Sequence, residues 1–176
     1  MKIYTLERVQ HLPIGIDEAW TFFSDPRNLP KITPPSMGFR TLGNVPDAMH
    51  AGMIVTYRVR PLPRLAVTWV TEITHVEEPH FFVDEQRFGP YRFWHHQHHF
   101  REVEGGTEIR DLIHYVLPLD PAGRMVQRWM VGPQLQRIFE YRSRILRERF
   151  GTLGATNSAA ARAGRPQVSA ATVDSR

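Results

Sequence analysis

The chain has no cysteine among its 176 residues. Disulfide frameworks and thiolate metal sites are therefore excluded, and a reducing compartment fits that absence. Lysine is almost missing too. Lys2 and Lys31 are the only ones, so 20 of the 22 basic residues are arginine. No segment approaches the roughly 20 apolar residues of a membrane-spanning helix, and the amino-terminal MKIYTLERVQHL lacks the apolar run of a signal peptide. A cytoplasmic address is the resulting expectation. A glycine-rich phosphate loop, a serine nucleophile elbow and a paired catalytic carboxylate signature are also lacking, as is any internal repeat.

What remains is the composition of a globular domain. At 41% hydrophobic and 23% charged residues the chain has enough apolar material for one ample core. The formal charge is +4, with 18 acidic residues against the basic ones. Arg142, Arg144, Arg147 and Arg149 crowd the end of the last helical segment, and Arg162, Arg165 and Arg176 follow in the tail. A basic patch can serve nucleic acid. Here acidic residues are interleaved and no recognition motif occurs, so the arginines read as a solvated helix face whose cations suit the negative helix end. Nucleic acid is not an expected partner.

Along the chain, residues 3 to 12 read as a first strand with Ile3, Leu6 and Val9 as apolar markers. Asp17 reads as the N-cap of a short helix carrying Ala19, Trp20, Phe22 and Phe23 on its buried side. Asp25-Pro26 opens a second short helix, Arg27 to Ile32, ended by Pro34-Pro35. Strand patterns follow over 39–42, 53–59, 64–77 and 81–88, separated by short turns, which implies antiparallel pairing of neighbours. Asp120-Pro121 signals a final helix with Met125, Trp129, Leu135, Ile138, Phe139, Ile145, Leu146 and Phe150 near helical spacing, which Gly132-Pro133 should kink or split. The domain runs over 1–150. Residues 151–176 are rich in Ala, Ser, Thr, Gly and Arg and read as a flexible tail.

The informative stretch is PYRFWHHQHHFREVEGGTEIRDLIHYVLP, Pro90 to Pro118, which reads as two strands and a glycine turn. Four of the nine histidines lie at 95, 96, 98 and 99. Side chains alternate along a strand, so Trp94, His96, His98 and Phe100 share one face. Phe93, His95, Gln97 and His99 take the other, which should be convex and solvated. In the second strand Ile109, Asp111, Ile113, Tyr115 and Leu117 form the apolar, inward face. A Glu104-Gly105 loop sets His98 opposite Asp111, whereas a Gly105-Gly106 loop sets Phe100 there; both keep Asp111 on the face of His96 and His98. For strand 81–88 the parity stays open: a two-residue turn at Gly89-Pro90 places Glu85 and Arg87 with Trp94, and a three-residue turn places Asp84 and Gln86 there.

One strand, two short helices, a long antiparallel run and one long terminal helix, together with FVDEQ (Phe82 to Gln86), GPYRFWHHQHHF (Gly89 to Phe100), GTEIRDLIHYVLP (Gly106 to Pro118) and IFEYRSRIL (Ile138 to Leu146), resemble a bacterial ligand-binding subgroup of the SRPBCC superfamily, which is START-like and birch-allergen-like. The resemblance covers residues 1 to 150 and implies an α+β helix-grip fold: a curved antiparallel sheet wrapped around the terminal helix. It implies binding or carriage of a small hydrophobic molecule (lipid, isoprenoid or quinone, or polyketide-like) in an internal cavity. The superfamily also includes polyketide cyclase/dehydrase-like aromatases and cyclases, so an enzyme using a histidine–aspartate pair is the alternative. A regulatory module whose cavity is filled by its own side chains is the third reading. A monomer or weak dimer that touches membranes only transiently fits these functions.

Expected wall residues are Trp20, Phe23, Tyr57, Trp69, Trp94, Phe100, Tyr115, Trp129 and Phe139, each of which would serve equally as plain core. His96, His98 and Asp111 are the sharper group. Buried imidazole and carboxylate must satisfy one another, which suits a structural network, orientation of a ligand carbonyl or hydroxyl, or general acid–base catalysis. Two histidines at i and i+2 with Asp111 could also hold a metal, but no fixed ligand motif supports it. No metal and no cofactor are expected.

Overall fold

The computed structural model describes residues 2–62, 64–118 and 125–153. Seven strands form one antiparallel sheet: β1 (Tyr4–Leu12), β2 (Arg40–Leu42), β3 (Ile54–Leu62), β4 (Leu65–Glu77), β5 (Phe81–Phe88), β6 (Phe93–Val103) and β7 (Gly106–Val116). Their spatial order is β1-β7-β6-β5-β4-β3-β2. Chain neighbours from β2 to β7 pair with each other, as short turns require. Only β1 joins from a distance, its Leu12 opposite Thr107 and its Tyr4 opposite Tyr115. On the other side of the sheet's centre, β4 slips register against β5 between Val70 and Thr71 and again between Ile73 and His75. Such bulges bend a strand and sharpen its twist. They fall on the strand facing the terminal helix across the cavity.

Between β1 and β2 lie helix α1 (Ile16–Phe23), the 3-10 helix Pro26–Ile32 and a single 3-10 turn, Pro35–Met37. Asp25 caps the second of these as the sequence implies: its Oδ1 accepts from the Arg27 amide at 2.9 Å. The start of α1 differs from expectation. Gly15 is the N-cap and Asp17 falls inside the first turn, where its charge suits the helix dipole. In β1 the markers Ile3 and Val9 are half exposed, and the even-numbered residues from Tyr4 to Leu12 face inward instead.

The β6–β7 turn takes the Glu104-Gly105 register, with Val103 opposite Gly106, His98 opposite Asp111 and Trp94 opposite Tyr115. Two different demands on the glycines decide it. Gly105 has φ of 81°, a left-handed turn position that favours glycine. Gly106 is pressed against β1, where an added Cβ would sit 2.0 Å from the carbonyl oxygen of Leu12. The sequence expectation of alternate faces holds throughout the hairpin: Trp94, His96, His98 and Phe100 are buried with Ile109, Asp111, Ile113 and Tyr115.

The terminal helix α2 (Gly132–Phe150) follows a wide π-turn, Gln127–Val131. Pro133 has no N–H for the carbonyl four residues back, so the helix widens there rather than splitting. The buried face of α2 is Leu135, Phe139, Arg142 and Leu146, in steps of four, three and four. Trp129, expected among the wall residues, is 74% exposed. Its six-residue step to Leu135 fits no helical repeat, and this should have excluded it from the stripe. Among the described residues no helix is long and apolar enough to cross a membrane. The expected helix start at Asp120-Pro121 and the tail beyond Leu153 lie outside the described residues.

Candidate functional site

The inner sheet face, α2 and the 3-10 helix Pro26–Ile32 do not meet flush. They leave a cavity of about 160 Å³ with predominantly apolar walls, open on one side. Of the expected wall residues, Phe23, Tyr57, Trp69, Trp94 and Phe139 line it. Trp20 and Phe100 do not. They pack edge to face against each other, ring centroids 5.9 Å apart, in the core under α1. Tyr115 also lies off the cavity, stacked on Tyr4 at 5.6 Å and packed in the cluster beneath the start of α2. Trp129 points away from the cavity altogether.

Tyr91 joins the walls although its position in a turn gave no hint of it. Its ring packs on Trp94 at 4.8 Å and on Trp69 at 5.5 Å. Its backbone is held by the Gln86 amide, whose Nε2 donates to the Tyr91 carbonyl at 2.6 Å while Oε1 accepts from the Tyr91 N–H at 3.2 Å. Burial raises the Tyr91 phenol well above its usual pKa. Burial likewise raises Tyr57, with help from the Asp84 charge, so both hydroxyls stay protonated.

One end of the cavity is polar. His96 and His98 reach it from β6, and Asp84, opposite His96 on β5, lies between them. Oδ2 of Asp84 is 2.8 Å from Nε2 of His98 and 3.3 Å from Nδ1 of His96. Behind the imidazoles, Oδ1 of Asp111 is 2.9 Å from Nε2 of His96 and 3.0 Å from Nδ1 of His98. The two rings lie 3.8 Å apart between the carboxylates, and His98 is stacked on Phe82 at 4.0 Å. The structure thus brings together His96, His98 and Asp111 as expected. It adds Asp84: the β5 parity is the one expected of a three-residue turn, with Asp84 opposite His96, although four residues (89–92) separate the two strands.

Arg142 completes the group. Its Nη1 lies 3.7 Å from Oδ1 of Asp111, and its guanidinium sits 4.7 Å from the Phe139 ring centroid. Arg142, expected on a solvated helix face, is 7% exposed. Burial pushes the Asp111 carboxyl up, but the hydrogen bond from His96, the adjacent His98 imidazole and the Arg142 charge hold it well below the usual carboxylate range. Burial also opposes ionisation of Asp84, and the charge and hydrogen bonds of His96 and His98 outweigh it in the same direction. Burial disfavours the His96 imidazolium, yet the flanking carboxylates raise its pKa above the ordinary value.

On the convex face His95, Gln97 and His99 form a separate ladder. Nδ1 of His95 meets Glu85 at 2.9 Å, and Gln97 bridges to His99 at 3.0 Å. Both imidazoles are part-buried rather than fully solvated, and neither lines the cavity.

A curved sheet gripping a terminal helix around a chamber defines the helix-grip class. No family model matches the sequence, and no curated protein matches it. Solved structures match in shape. The Zhui aromatase/cyclase from Streptomyces sp. R1128 is 12% identical with a TM-score of 0.65, over 82% of this chain and 92% of that one. Protein Ms6760 from Mycobacterium smegmatis is 21% identical with a TM-score of 0.59, over 85% and 98%. Ginseng major latex-like protein 151 from Panax ginseng is 14% identical with a TM-score of 0.59, over 84% and 97%. At these identities the likeness is one of fold. The chain has the helix-grip fold, as its motifs implied.

Proposed function

We propose that the protein binds and carries a compact hydrophobic molecule in the cavity, with a polar atom of the guest turned toward His96 and His98. The observation that carries this reading is the chamber itself: predominantly apolar walls of mixed aromatic and aliphatic side chains, with two imidazoles and a carboxylate at one end. Such a division, apolar for affinity and polar at one end for orientation, is the usual make-up of a small-ligand site. The size narrows the guest. A volume of about 160 Å³ is close to the roughly 150 Å³ cavity that admits benzene in an engineered protein. A single ring with small substituents fits inside, whereas an isoprenoid tail on a quinone-like head would extend through the open side.

Native mass spectrometry of the purified protein tests the proposal directly, with titration of ring-sized phenols and quinones followed by tryptophan fluorescence. Ile138 faces the cavity from α2, and Ile138→Trp should fill it. The expected result is a co-purified or titratable guest lost at least tenfold in the variant. Equal binding by both proteins would place the guest elsewhere and sink the proposal.

An acid–base enzyme of the cyclase or dehydratase kind is the second reading, favoured by the imidazoles reaching the cavity wall rather than ending in the core. His98→Gln should then abolish turnover of a poly-carbonyl substrate while leaving its affinity within a few-fold. A module with a filled interior is the reading the cavity argues against.

A further inference from the structure

The His96, His98 and Asp84 arrangement has a proton deficit that a purely hydrogen-bonded network does not resolve. Each imidazole has a carboxylate oxygen within 3.3 Å of both of its nitrogens, Asp84 on one side and Asp111 on the other. A neutral imidazole carries one N–H. Two neutral rings supply two donors for four close nitrogen–oxygen contacts, and a His96 protonated as its flanking carboxylates favour supplies three, so at least one contact is left without a proton. The mismatch is visible in one atom: Nδ1 of His98 is fully buried and has no hydrogen-bond partner, since Asp111 at 3.0 Å is out of line for a hydrogen bond.

We propose that Asp84 Oδ2, His96 Nδ1 and His98 Nε2 are the protein ligands of a first-row divalent transition-metal ion, with Asp111 as the carboxylate that orients both imidazoles from behind. The three ligand atoms lie within 4.8 Å of one another. Metal–nitrogen and metal–oxygen bonds of about 2.0–2.2 Å at tetrahedral or octahedral angles require ligand atoms about 3.0–3.4 Å apart. The observed 2.8 Å and 3.3 Å from Asp84 to the two nitrogens need shifts of a few tenths of an ångström. Coordination also removes the proton deficit. The metal takes the lone pairs of His96 Nδ1 and His98 Nε2, the N–H at His96 Nε2 donates to Asp111 at 2.9 Å, and the N–H at His98 Nδ1 faces the same oxygen at 3.0 Å, where a small ring rotation brings it into line. A histidine ligand whose other nitrogen donates to a carboxylate is the common support of a metal site.

Two histidines and one carboxylate on one side of the ion leave its other positions open. Those positions face the cavity, because Asp84, His96 and His98 line it whereas Asp111 does not. Mixed nitrogen and oxygen ligands without sulfur suit Zn, Fe(II), Co or Mn over Cu(I). A guest bearing a phenolate, enolate or carboxylate oxygen would reach the ion directly. Asp111, the third ligand that the sequence pattern suggests, stands behind the rings, and Asp84 takes its place through a β5 parity that the sequence leaves open. The inference stands on the four side chains and not on the carrier reading.

Untagged, EDTA-treated full-length protein titrated with Co(II) and Zn(II) tests it, with calorimetry for stoichiometry and visible absorption for the ligand set. One equivalent of Co(II) should bind, with bands of nitrogen–oxygen ligation. Asp84→Asn and His98→Gln should each weaken binding at least a hundredfold, Asp111→Asn about 10–100-fold, and His99→Gln on the convex face should leave it unchanged. Circular dichroism establishes that each variant is folded. Absence of stoichiometric uptake by the wild-type protein overturns the proposal without recourse to any variant. So does uptake that survives Asp84→Asn and His98→Gln, which would be adventitious binding at surface histidines. Binding of a ring-sized phenol to the metal-free protein is scored separately, so failure of either proposal is read apart from the other.

Discussion

Nη1 of Arg142 on α2 lies 3.7 Å from Oδ1 of Asp111 on β7, so a helix cation crosses the core to the carboxylate behind the imidazoles. This contact ties the gripped helix to the sheet by charge as well as by apolar packing. Removing one partner of a buried pair strands the other charge and costs about 3–5 kcal/mol; at 3.7 Å the lower end applies. Arg142→Met should therefore lower the urea midpoint markedly. Arg144→Ala, which loses an exposed 4.0 Å contact to Glu148 and a surface contact with the Tyr141 ring at 5.2 Å, should cost no more than about 1 kcal/mol. Equal losses in the two variants would show that Arg142 is not held as described.

Gly106 and Gly15 make a matched pair for the hairpin register. Alanine at 106 would drive its Cβ into the Leu12 carbonyl at 2.0 Å, and backbone cannot swing aside as a side chain can. At Gly15 nothing lies within 4 Å and φ is −66°, so alanine is accommodated. Gly106→Ala should cost several times the roughly 1 kcal/mol of an ordinary substitution, and Gly15→Ala no more than about 1 kcal/mol. Thermal denaturation of the two variants decides it.

Asp25 gives a pH prediction. Burial pushes its carboxyl up, but side-chain and backbone hydrogen bonds from Arg27 prevail and hold its pKa below the 3.8 of a free aspartate. A depressed carboxyl contributes stability that is present above its unfolded-state pKa and disappears as pH falls through the folded-state value. Asp25→Ala should destabilise by about 1 kcal/mol at neutral pH, the usual worth of an N-cap. The gap between wild type and variant should close below pH 3.8. A gap that persists unchanged at pH 2.5 would mean the carboxylate is not the capping group.

Much of the fold was legible because strand parity is a strict two-fold repeat. The inward set Trp94, His96, His98 and Phe100 needs only the alternation of side chains, and either hairpin register gives it. What parity could not supply was the turn geometry linking β5 to β6. One residue more or less in that turn exchanges Asp84 for Glu85, and the choice depends on how Gln86 grips Tyr91 across the loop. Arg142 was missed for a different reason. Its charge suggested solvent, while its place in the 135, 139, 142, 146 series put it on the buried stripe. Position outweighed residue type because Asp111 and the Phe139 ring were there to receive it. With Trp129 the reverse error occurred, an aromatic assigned inward against its helical phase.

Gln86 and Asp84 stand two residues apart on β5, so the amide that pins the Tyr91 loop and the oxygen that lies between the imidazoles share one stiff rod about 7 Å long. A guest that displaces the Tyr91 ring would tug that rod along its axis and alter the spacing between Asp84 and the histidines. Arrival of cargo and adjustment of the polar pole would then be one mechanical stroke, with β5 as its lever.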